Sequence, residues 1–269
     1  MHKSAFNYAK LFFDTYAQGF TDGVVIEIGS QDVNGSLRSL SPVNAKYIGV
    51  DYIAGNGVDV VLDDPYQFQI EDASADIVIC SSCFEHAEMF WLTFLEVMRI
   101  LKQDGVFYLN APSNGIYHQY PNDCWRFYPD SGRALVAWAR RSGINAGLLE
   151  SFTGMQGDDI WNDYVAVFIK DVGLVDKYPT RMVHGIDTFC NGTVYGGNDT
   201  LRPSDHPEDY LKLQVAEHKL NTIRSLPRLS AHEAKEVVHQ CTAGNDQPVC
   251  GELAGGYRLP ISNGLQQQS

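Results

Sequence analysis

The stretch Val24–Ser36, VVIEIGSQDVNGS, decides the fold. Val24–Ile28 is an apolar run broken by one acid, the pattern of a buried strand, and Gly29 ends it in a turn. A dinucleotide site would continue as G-x-G-x-x-G, so that a pyrophosphate can reach a helix N-terminus. Counted from Gly29, that fingerprint demands glycine at positions held by Gln31 and Asn34. Glu27, directly before the turn, would repel a phosphate as well. The turn instead suits a ligand without phosphates that approaches the backbone at Gly29 and accepts negative charge beside it.

Outward from this stretch, short apolar runs alternate with helical segments, as in a parallel sheet covered on both faces. The strands expected are Val24–Ile28, Tyr47–Val50, Val58–Leu62, Ile77–Cys80 and Val106–Asn110. Between the last two, Phe90, Phe94, Val97 and Leu101 form a helical stripe that Gly105 follows. PDSGRALVAWARRSG reads as another helix, then AGLLESFTGM and DYVAVFIKD as two strands close in sequence. Five β-α units and a strand pair predict seven strands, mostly parallel, with an antiparallel hairpin at the edge. Ala5, Ala9, Phe12, Phe13, Tyr16 and Phe20 recur at helical spacing and predict an N-terminal amphipathic helix.

The second strand ends in Asp51, where a carboxylate can accept both hydroxyls of a ribose. The third ends in Asp63 and Asp64, either of which could accept from an adenine amino group. Strand ends in a parallel sheet share the edge where ligands bind. Three carboxylates gathered there point to a nucleoside with positive charge and no phosphate, S-adenosylmethionine.

Together VIEIGS, GVDY, VVLDDPYQFQI, ADIVICSSCFEH and VMRILKQDGVFYLNAPS resemble the class I S-adenosylmethionine-dependent methyltransferases of the small-molecule type. The resemblance runs from about Val24 to Asp171. It implies a Rossmann-like sheet, with S-adenosylhomocysteine as product. Glu27, Gly29 and Ser30 would lie at the methionine end and Asp51 and Tyr52 at the ribose. Asp63 or Asp64 would sit near the adenine, and Ser81, Ser82 and Phe84 beneath the cofactor. The chain departs from the family's E-x-G-x-G-x-G, with Gln31 and Val33 in place of its later glycines.

The acceptor of such an enzyme reaches over the ends of the fourth and fifth strands, here SSCFEH and NAPSNGIYHQYPNDCWRFYP. The second segment crowds aromatic and ionisable groups into a loop, a mark of function. His118 and His86 are candidate proton acceptors, because an imidazole titrates near neutrality. Arg126 could hold an anionic acceptor, or pair with Asp123 and pin the loop over Trp125. Tyr120, Asp123, Trp125 and Arg126 are the candidate acceptor-binding residues. Similar H-x-Y-P-x-D-x-W-R-F-Y-P loops resemble those of enzymes of surface-polysaccharide or secondary metabolism, which implies a glycan-type or other small-molecule acceptor.

The net charge of −13 argues against a nucleic-acid groove and against an anionic membrane surface. No apolar run is long enough to span a bilayer, and Asp14 breaks any secretory core, so a cytoplasmic protein is expected. Cys80–Cys83 has C-x-x-C spacing without a second pair, and His239, Cys241 and Cys250 form no four-ligand pattern, so no metal is expected. The organisation expected is an N-terminal helix (1–23), a cofactor-binding domain (24–172) and a helical or irregular extension (173–269). The extension, with His184, Asp187, Tyr195 and His206, reads as a lid or as a subunit contact in a homo-oligomer. It carries capping boxes at Asp205/Glu208 and Ser230/Glu233. Two other readings stand beside the enzyme: a methyltransferase-like module that binds cofactor without turnover, and a nicotinamide-dependent dehydrogenase.

Overall fold

A computed structural model describes residues 2–156, 160–205 and 208–225. His206, His239, Cys241, Cys250, the second capping box and the terminal tail expected from the sequence lie outside the described residues. The chain divides into two units, Met1–Glu208 and Asp209–Ser269. In the second, the described residues form a helix, α4 (Glu208–Ser225).

The first unit is built on β1 (Gly23–Ile28), β2 (Ala45–Asp51), β3 (Val60–Val61), β4 (Ala75–Ser81), β5 (Leu101–Pro112), β6 (Gly147–Gly154), β7 (Asp163–Ile169) and β8 (Phe189–Val194). They form one sheet in the order β3-β2-β1-β4-β5-β7-β6-β8. The first five strands of that order are parallel; β7 returns antiparallel between β5 and β6. The seven expected strands are present and the sheet has eight. The eighth comes from Phe189–Val194 and pairs antiparallel with β6. Its glycine, asparagine and threonine hide it from hydrophobic patterning.

α1 (Lys3–Tyr16) covers one face of the sheet, burying Ala5, Tyr8, Ala9, Phe12, Phe13 and Tyr16. Each large side chain so buried contributes about 1.5–3 kcal/mol. The opposite face carries α2 (Phe90–Ile100) and α3 (Ser131–Arg141), whose Phe94, Val97, Leu135 and Ala139 enter the second core cluster. Leu101, expected on the helical stripe, is the first residue of β5.

The expected alternation of five β-α units is corrected. Among the described residues, helices link only β4 to β5 and β5 to β6. Between β1 and β2 there is a 3-10 turn at Arg38–Leu40. Serine, proline and asparagine fill that crossover, and Leu37, fully buried, plugs the face that a helix would cover. No helix N-terminus therefore stands behind the Gly29 turn, which removes the usual device for holding a phosphate.

Chain order places the ligand crevice. From β1 the chain steps outward through β2 and β3, then crosses to the other side of β1 to form β4. Such a reversal opens a crevice at the carboxyl ends of the two central strands. No helix of the described residues is long and apolar enough to cross a membrane.

Candidate active site

Register brings the strand ends together. Ile28 pairs with Val50 on one side and Cys80 on the other, and Ser81 pairs with Asn110. Glu27, Gly29, Asp51, Ser81 and Ser82 thus share one edge, as the sequence suggests.

Gly29 has φ +77°, and a Cβ there would lie 2.7 Å from Cys83 Cβ. Both facts demand glycine, because the turn presses against the residues following β4. The Gly29 and Ser30 amides donate to Val50 O at 2.9 and 3.1 Å. Asp51 accepts from Gln31 N at 3.2 Å and Ile53 N at 3.1 Å, one bond per carboxylate oxygen. Each oxygen keeps a lone pair for a further donor. Beyond Asp51, the Tyr52 ring is exposed. Asp63 and Asp64 are exposed too, but Asp64 Oδ1 is taken by Tyr66 N at 2.8 Å.

Glu27 is buried and accepts from the Tyr47 hydroxyl at 2.6 Å. Burial outweighs that bond and pushes its carboxyl up to about 7. A cationic ligand beside it would hold the ionised form. Ser30 Oγ and Ser81 Oγ are buried without hydrogen-bond partners. Orphaned polar atoms, a glycine cradle, a carboxylate with spare lone pairs and an exposed aromatic ring fit a nucleoside with a charged amino-acid tail.

The segments that follow β4 and β5 are stitched together. Cys124 N and Trp125 N donate to Glu85 O at 2.8 and 3.1 Å, and Trp125 Nε1 donates to Ala87 O at 3.0 Å. Arg126 binds Asp123 through both guanidinium ends, at 2.5 and 2.9 Å, and also donates to the carbonyls of Trp125 and Ile116. The guanidinium holds Asp123 down to about 2. Asp123 Oδ2 in turn accepts from His118 N at 2.7 Å. Tyr120, exposed, donates to Gln31 Oε1 at 3.0 Å.

His86 and His118 come together edge to face, with ring centroids 4.9 Å apart. His86 Nδ1 lies 2.5 Å from Asn122 O, which makes Nδ1 the protonated nitrogen. Burial lowers the His86 pKa. His118 rests edge-on against Trp161, 4.9 Å between centroids.

Three residues here were not singled out from the sequence. Glu85 is 1 % exposed, and burial pushes it up to about 8. Asn110, at the end of β5, has both side-chain polar atoms buried and unpartnered. Trp161 packs where Gly115 leaves room for it. An acid beside His86, and a polar residue closing the apolar run VFYLN, were the legible signals for the first two. Trp161 carried none, because it lies far along the chain from the loop it supports.

Residues 32–109 match a family described as "Methyltransferase domain". No curated protein matches the chain. Among solved structures, a 1,6-didemethyltoxoflavin-N1-methyltransferase from Burkholderia thailandensis, with bound S-adenosylhomocysteine, is 13% identical; 63% of this chain and 79% of that one are covered, at a TM-score of 0.49. The YcgJ protein from Bacillus subtilis is 13% identical over 63% of this chain and 99% of that one, at 0.46. The [4+2]-cyclase SpnF is 10% identical over 62% and 82%, at 0.47. Likeness at this level says nothing about substrate. The domain match, the sheet order and the crevice at its switch point together describe a methyltransferase domain on a Rossmann-like sheet.

Proposed function

We propose that the chain methylates a polar small molecule of the sugar-containing kind, seated over the ends of β4 and β5. One observation carries this reading: both side-chain polar atoms of Asn110, near the end of β5, are buried there without partners. Groups left so are costly unless a ligand or water meets them. A hydroxyl-rich acceptor meets them; a purely apolar one does not.

In this reading Gly29 and Ser30 take the methionine end of the cofactor, with Glu27 beneath its charge. Asp51 accepts from the ribose, with Tyr52 beside it and Asp63 toward the adenine. Ser81, Ser82 and Phe84 form the floor. The bound cofactor supplies an electrophilic methyl group, and the chain's own residues aim an acceptor lone pair at it. His86 and His118 face the acceptor. Tyr120 and Trp125 wall it, and Arg126 with Asp123 holds the loop that carries them.

The test is S-adenosylhomocysteine release with a panel of sugar derivatives, phenols and amines. Turnover with sugar derivatives supports the reading, and turnover confined to phenols or amines contradicts it. Tight cofactor binding with no turnover on any acceptor favours a binding module, the reading that Gln31 and Val33 in place of glycines motivates. The dehydrogenase reading is set aside, since the chain lacks both the phosphate fingerprint and a helix behind the turn.

A further inference from the structure

Glu85, His86 and His118 each present one ligand atom, and the three atoms lie within 4.8 Å of one another. Glu85 and His86 are neighbours in the turn after β4, where His86 N and Ala87 N both donate to Cys83 O. His118 arrives from the aromatic loop, which Asp123 and Arg126 fix in place.

The surroundings favour metal ligation over simple packing. A ligating histidine donates its second ring nitrogen to a carbonyl or carboxylate, which sets its tautomer and aim. His86 Nδ1 does this with Asn122 O at 2.5 Å, leaving Nε2 to point at Glu85, 3.6 Å from Oε1. His118 Nδ1 lies 3.4 Å from Asp123 Oδ2 and 3.4 Å from Ile116 O, the same outer arrangement. Glu85 supplies an independent sign. Its Oε2 is fully buried with no hydrogen-bond partner, and such an oxygen calls for a cation or a donor.

We propose that Glu85, His86 and His118 bind one divalent transition-metal ion at the acceptor side of the cleft. Two imidazoles and a carboxylate suit zinc, iron, cobalt or manganese better than magnesium or calcium, which prefer all-oxygen shells. Three protein ligands leave positions open, and the His118 side chain is 32% exposed, so an acceptor's oxygens can complete the shell. The two imidazoles then act on the acceptor through the ion.

The proposal can be tested without any acceptor, so its failure is separable from failure of the acceptor assignment. Full-length protein freed of metal with a chelator is titrated with cobalt(II), followed by visible absorption, and then with zinc(II). Expected is one cobalt bound per chain with a d–d band that zinc, competing for the same site, bleaches. His86→Ala and His118→Ala each lower cobalt affinity at least about 10-fold, while Cys80→Ser and Cys83→Ser leave it unchanged. His118 is partly exposed, so its variant tests the site even if Glu85→Gln fails to fold. No stoichiometric binding, binding that survives loss of both histidines, or a thiolate charge-transfer band lost with the cysteines would overturn the proposal.

Discussion

The Tyr120 hydroxyl donates to Gln31 Oε1 at 3.0 Å, joining the turn after β1 to the aromatic loop after β5. Gln31 stands where the family's motif has a glycine. A glycine could not make this bond. The side chain that departs from the motif thus ties the turn after β1 to the aromatic loop after β5.

Removing that tie is expected to shorten the lifetime of bound cofactor. Tyr120→Phe and Gln31→Gly each lose a partly exposed hydrogen bond, about 0.5–1.5 kcal/mol, or a few-fold in off-rate. Stopped-flow release of S-adenosylhomocysteine measures it. Unchanged off-rates in both variants would show that the bond does not retain cofactor.

Asp51→Ala is expected to weaken S-adenosylhomocysteine binding by about 1–3 kcal/mol. The variant also loses the anchors of Gln31 N and Ile53 N, so a thermal melt without ligand separates loop damage from lost ribose contact. Equal affinity in calorimetry would exclude Asp51 from the ribose.

Glu27 gives a pH dependence with a definite sign. Its carboxyl is raised to about 7 in the fold, so the native state holds a proton that the unfolded chain releases at its ordinary, lower value. Stability without ligand therefore falls as pH rises from the ordinary carboxylate range through about 7. Glu27→Gln flattens that fall, making the variant more stable than wild type above neutrality by roughly 1–3 kcal/mol. An α-ammonium seated beside Glu27 prefers the ionised carboxylate, so S-adenosylhomocysteine affinity should rise from about pH 6 to about pH 8 in wild type and stay flat in the variant. Calorimetry across that range checks both; a rise that persists in Glu27→Gln contradicts the assignment.

Glu150 fixes the covering helix to the sheet. Buried on β6, it accepts from the Tyr16 hydroxyl at 2.5 Å, Met182 N at 2.7 Å and Val183 N at 3.0 Å. Glu150→Ala strands these donors and is expected to cost about 3 kcal/mol or more, read as a lowered thermal midpoint. Tyr16→Phe should cost less, since it removes one donor. A midpoint unmoved by Glu150→Ala would contradict this.

The sequence showed most clearly what burial dictates. Val24–Ile28 and Ile77–Cys80 lie in central strands covered on both faces, so their apolar runs, the first interrupted only by Glu27, announced them. Gly29 and Asp51 followed, because strand ends in a parallel sheet share an edge. Phe189–Val194 was not legible, since an edge strand needs no apolar run to pair. The missing helix after β1 was hidden too: a plug by Leu37 and cover from α1 depend on distant residues. Asp123 and Arg126 were readable as a pair, three residues apart, but the partners that fix their geometry, Ile116 O and His118 N, belong to the fold. Glu85, His86 and His118 could not be assembled from spacing, since 32 residues separate the two histidines.

The central claim is a crevice made for a charged nucleoside without pyrophosphate. Isothermal titration of the purified chain with S-adenosylhomocysteine and, separately, with NAD tests it most directly. Stoichiometric binding of S-adenosylhomocysteine, weakened by Asp51→Ala, with no heat from NAD, is the expected result. NAD binding in its place would contradict it.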